Sequence, residues 1–92
     1  MIEIVDDKKR EKLFDDRGDP YYRFYLITKE NGKIKTDYKD FTGQKYFRYA
    51  SAWIYNEKLK IERWNKKELE QSKKESLITS KQVEEKINLI FN

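Results

Sequence analysis

Ninety-two residues make one domain with a modest core, since a chain of this size buries about 60–65% of its unfolded surface. Charged residues form 41% of it and hydrophobic ones 37%, close to the disordered class, but an aromatic content of 15% belongs to a folded protein. Histidine and cysteine are both absent, which excludes disulfides, thiolate or imidazole metal sites, and Ser–His or Cys–His nucleophile pairs.

The formal net charge of +4 is unevenly placed. Residues 1–20 carry five basic and seven acidic groups, whereas residues 21–50 carry seven basic and three acidic. The surplus cations therefore lie where the rings lie, in Tyr21-Tyr22-Arg23-Phe24-Tyr25 and Lys45-Tyr46-Phe47-Arg48-Tyr49. No apolar run approaches the length of a membrane span, and no signal-peptide core follows the start, so a cytoplasmic protein without membrane contact is expected.

In chain order, Met1 to Val5 alternates weakly and predicts a short strand. Asp6 to Phe14 reads as a helical turn or two, capped by Asp6 or Asp7. Asp15-Asp16-Arg17-Gly18-Asp19-Pro20 is a turn cluster, and the first twenty residues are expected to be loosely attached to the single domain of residues 1–92.

Residues 21–41 predict a hairpin. Asn31-Gly32 is the residue pair of a type I′ turn, in which both central residues need positive φ. A two-residue loop there sets Glu30 opposite Lys33, Thr28 opposite Lys35, Tyr25 opposite Tyr38 and Arg23 opposite Asp40. Each pairing is chemically sensible for neighbours across strands. Tyr25, Ile27, Ile34 and Tyr38 then share a face, expected to be the core. Tyr22, Phe24 and Leu26 share the other with Lys35, Asp37 and Lys39, and that face either packs under a helix or meets a partner.

Residues 42–56 fit two patterns. Tyr46, Tyr49, Ala50, Trp53 and Ile54 follow helical spacing, with Thr42 as cap, and helix is favoured. The aromatic content also suits a strand. Lys58 to Trp64 reads as a strand. Asn65 with Glu68, and Thr79 with Gln82, spell two capping boxes, each flanked by a hydrophobic staple. They predict helices over 66–75 and 80–91, the second with an apolar stripe of Val83, Ile87, Ile90 and Phe91.

The motifs that tempt are weak. Asp15, Asp16 and Asp19 do not match a calcium loop, and a solvated turn explains them. Arg17-Gly18-Asp19 spells an adhesion tripeptide that three letters produce by chance. Glu57, Glu62, Lys58 and Lys60 would make a poor metal-dependent nuclease, and charges alternating on an exposed surface explain the same letters. Three glycines cannot build a phosphate cradle.

The fold expected is α+β: a small antiparallel sheet, formed by the hairpin 21–41 and a strand near 58–64, packed against a helix over 80–91. The function expected is binding without catalysis, metal or cofactor. Nucleic acid, or a nucleic-acid–protein complex, is narrowly favoured as partner, because rings stack on bases while cations follow phosphates. The residues expected to make contact are Tyr22, Arg23, Lys35, Lys39, Lys45, Arg48 and Lys60. The alternative is a phage or mobile-element protein that binds and inhibits or modulates a host protein, since Tyr, Trp and Arg are also the residues of interface hot spots.

Overall fold

The computed structural model describes residues 1–91, with side chains described for residues 1–74. Four strands are followed by one helix: β1 (Ile2–Asp6), β2 (Arg10–Phe14), β3 (Pro20–Glu30), β4 (Lys33–Phe41) and α1 (Tyr46–Phe91). The class is α+β, a small antiparallel sheet packed with a C-terminal helix.

The hairpin forms in the register its turn dictates. Asn31 and Gly32 take φ of 51° and 78°, and the four pairs named from the sequence are all partners. β3 is the centre of the sheet. β4 takes one of its edges, while β1 and β2 lie end to end along the other, pairing with residues 27–30 and 20–24. The first twenty residues, expected to hang loosely, thus supply a whole edge. The helical turn expected over 6–14 is replaced by a break in that edge strand followed by β2. The Asp6 carboxylate makes the break by accepting the amides of Lys8 (2.8 Å) and Lys9 (3.2 Å). Asp15 likewise organises the next turn, where one carboxylate oxygen accepts the amides of Arg17 and Asp19, each at 2.9 Å.

Residues 58–64 are not a strand but part of α1, and the two C-terminal helices expected are one. After Gly43 the chain holds neither glycine nor proline, so nothing in the backbone stops the helix once it begins. It begins at Tyr46 rather than just after Thr42, because the chain first turns through Gly43 at φ 85°. Forty-six residues make a helix about 69 Å long, and the molecule measures 81 × 22 × 17 Å. Its radius of gyration of 22.3 Å compares with about 12 Å for a compact domain of this length. The packing expected of Val83, Ile87, Ile90 and Phe91 concerns side chains outside the described set.

The core lies between α1 and the face of the sheet that carries Phe24, Leu26 and Thr28, all buried. This reverses the expected choice of face: Ile34 is 67% exposed and Tyr38 56%. Ala50, with no exposed surface, lets the helix approach the sheet closely. Rings gather where α1 starts. Tyr22 and Tyr46 stack at 3.7 Å with planes 7° apart, and Phe24 meets Phe41, Tyr46 and Phe47 at 5.9–6.3 Å. Lysines 33, 35 and 39 lie on the same side of β4 but stay exposed along its edge.

The other end of the contact is polar. The Asn65 side chain accepts the Ile2 amide at 2.7 Å and donates to the Ile2 carbonyl at 2.8 Å. The shielded Glu68 Oε2 lies 2.7 Å from the Met1 ammonium, its counter-ion, and this bond raises the pKa of the amine. The two residues that spell a capping box therefore clasp β1 from mid-helix, and α1 runs on about 35 Å beyond them.

Candidate binding surface

With α1 on one side of the sheet, the strand alternation sends every second side chain to the opposite, uncovered side. On β3 these are Tyr21, Arg23, Tyr25, Ile27 and Lys29. On β4 they are Ile34, Thr36, Tyr38 and Asp40, and on β2 Glu11 and Leu13. Three tyrosines, two isoleucines and a leucine stand together on a plane three strands wide. Between Tyr21 and Lys29 this gives a stretch of sheet about 27 Å long and 14 Å wide, charged side chains included. Among the described residues no element packs on it.

The polar groups of this face are mutually engaged. Arg23 makes a two-pronged bond to Asp40, at 2.8 and 3.1 Å, and its guanidinium lies 4.3 Å from the centre of the Tyr38 ring. The Asp40 bond holds the guanidinium pKa above its ordinary value. Lys9 lies over Tyr25 at 4.9 Å, and the Tyr25 and Tyr38 rings are 6.2 Å apart. The cations Lys9, Arg23 and Lys29 stand among the carboxylates Glu3, Asp6, Glu11 and Asp40, so the face has no positive surplus. A rigid tyrosine plane with paired charges is suited to burying area against a partner.

The seven residues expected to make contact are not brought together. Arg23 is on the open face, committed to Asp40. Tyr22 is on the opposite face, stacked under Tyr46. Lys35 sits at the β4 edge, 3.8 Å from Asp37, and Lys60 is paired with Glu57 at 2.9 Å on α1. Lys39 does share a place with rings: it lines a shallow groove with Phe41, Thr42, Tyr49, Ala52, Trp53 and Asn56. Lys45 stands one helical turn before Tyr49 and Arg48 next to it in sequence, but of the seven only Lys39 lines this groove. The open face itself was missed because its members were taken for core. The register already grouped them correctly.

Comparison with protein families, with curated proteins and with solved structures finds no match. Among the described residues no helix is long and apolar enough to cross a membrane. Within the same residues, no three carboxylates gather as metal ligands would.

Proposed function

We propose that this is a non-catalytic binding protein that docks a protein partner through the open face of its sheet. The observation that carries this is the sheet face with no element packed on it among the described residues, where exposed Ile34 and Tyr38 stand beside half-buried Tyr21, Tyr25 and Ile27 around the neutralised Arg23. Rigid rings and Arg concentrate binding energy at protein interfaces. Exclusion of water by the surrounding contacts would strengthen the Arg23–Asp40 pair once covered.

Affinity capture from cell lysate tests the reading, with the parent protein and the Tyr25→Asp/Tyr38→Asp variant run side by side after nuclease treatment. The expected result is one stoichiometric protein retained by the parent and lost by the variant. Equal retention by both, or no retained protein, rules the reading out.

A second reading is supported by the groove where Lys39 lies with a 59% exposed Tyr49 and Trp53, close in sequence to Lys45 and Arg48. It gives single-stranded nucleic acid as the partner, with bases on the rings and phosphates on the cations. Such binding falls steeply with salt. A gel-shift titration at two salt concentrations decides it, and loss of binding in Lys39→Ala/Lys45→Ala/Arg48→Ala is required.

A further inference from the structure

On the opposite side of the helix start, between the break in the edge strand and α1, lies a cleft of about 490 Å³. Small-molecule sites span about 300–1,000 Å³, so the size is that of a ligand pocket. Its floor is apolar: Phe24, Phe47 and Ile54. Ser51 and Tyr55 form a wall, and Asp7, Lys8, Arg10 and Lys58 form the rim.

The rim is built by the Asp6 turn that interrupts the strand, which delivers Asp7 and Lys8 to the helix side. Asp7 is then spent on Lys58 at 2.6 Å, a bond that holds the carboxyl below its ordinary pKa. Lys8 and Arg10 are left with no carboxylate within ion-pair distance among the described residues. Arg10 lies 5.4 Å from the centre of the Phe47 ring, and Phe47 and Tyr55 remain more than half exposed. The cleft therefore combines aromatic surface open to solvent with two cations at its mouth that lack a carboxylate partner among the described residues.

We infer that this cleft binds a small amphipathic anion: a flat aromatic body carrying one carboxylate or phosphate. A purely polar anion would leave Phe47 and Ile54 wet, and a neutral hydrocarbon would leave Lys8 and Arg10 unused. A ring lying against Phe47 satisfies both, with its charged group at Arg10, where planar two-point bonding is available. The site is separate from the open sheet face and stands or falls independently of any protein partner.

Amide NMR titration tests it, using naphthyl phosphate and naphthoate as probes, with inorganic phosphate and naphthylmethanol as controls. The expected result is saturable shifts at Asp7–Arg10 and Phe47–Tyr55 with one or both anions, with dissociation constants of about 0.1–1 mM. The two anions separate phosphate from carboxylate preference. Each control should bind at least roughly tenfold more weakly, as should Lys8→Ala/Arg10→Ala. Ser51→Trp fills the cleft from an exposed position and should abolish the shifts while leaving the sheet amides unmoved. Absence of saturable shifts overturns the inference, as do shifts spread over the open face or undiminished binding by the folded variants.

Discussion

Leu26 and Ile34 are both branched aliphatics within one hairpin, and the structure assigns them opposite fates: Leu26 is 1% exposed and Ile34 67%. Truncation of either to alanine removes three carbons, worth about 0.8 kcal/mol each when fully buried. For Leu26 the whole of that is lost, and a cavity under Ala50 and α1 adds to it, giving about 3 kcal/mol. For Ile34 only about a third of its surface is buried, so the cost is about 0.8 kcal/mol. With a urea dependence of about 1–1.5 kcal/mol per molar, the midpoint should fall by about 2–3 M for Leu26→Ala and by under about 1 M for Ile34→Ala. Urea unfolding followed by far-ultraviolet circular dichroism, with the fluorescence of Trp53 and Trp64 as a second probe, measures both. An Ile34→Ala variant less stable than Leu26→Ala would mean that the helix covers the other face of the sheet, and the binding surface described above would not exist.

Three further outcomes follow from the same fold. Gly32→Ala should cost about 1 kcal/mol by equilibrium unfolding: the added methyl has open space around it, so the cost comes from φ of 78° alone. Tyr46→Ala removes the ring stacked on Tyr22 and should cost about 2–3 kcal/mol, with loss of the near-ultraviolet dichroism of the cluster. The Asp7 carboxyl, held below its ordinary 3.8 by the Lys58 bond, should stabilise the fold fully above about pH 4 and lose that contribution as pH falls through its lowered value. Because the pair is partly exposed, the effect is under about 1 kcal/mol. Asp7→Asn should show a correspondingly flatter loss of stability between pH 7 and pH 3, and an identical acid limb in both proteins would remove the pair from the account.

The hairpin was legible because its information is local: two residues requiring positive φ fix every pair from Glu30–Lys33 to Arg23–Asp40. Which face of it is inside was not, because that depends on where a distant helix lands. Tyr25 with Ile27 is as apolar as Phe24 with Leu26. The lysines of β4 then argued against the true inner face, although at a sheet edge long stems reach back to water at little cost. The strand expected over 58–64 failed for a related reason. The absence of glycine and proline after Gly43 was the stronger signal, and short alternating segments within it carried little weight against that. Asn65 and Glu68 have the types and spacing of a helix start, yet their partners lie 63 and 67 positions away, at Ile2 and Met1, and no local rule anticipates that. The binding surface inherits the same pattern: the members of the open face could be grouped from the register, but calling the group a surface required the helix.

Both flanks of the sheet carry features that disfavour further strands. One is interrupted by the Asp6 turn, and the other is lined by Lys33, Lys35 and Lys39, devices that discourage ladder extension by another chain. Ladder extension is therefore disfavoured, and a partner docking on the open face, as proposed, would be read by side chains rather than by the main chain. On that proposal, exchanging Tyr25 and Tyr38 would change what the face meets while every main-chain rung of the ladder stays in place.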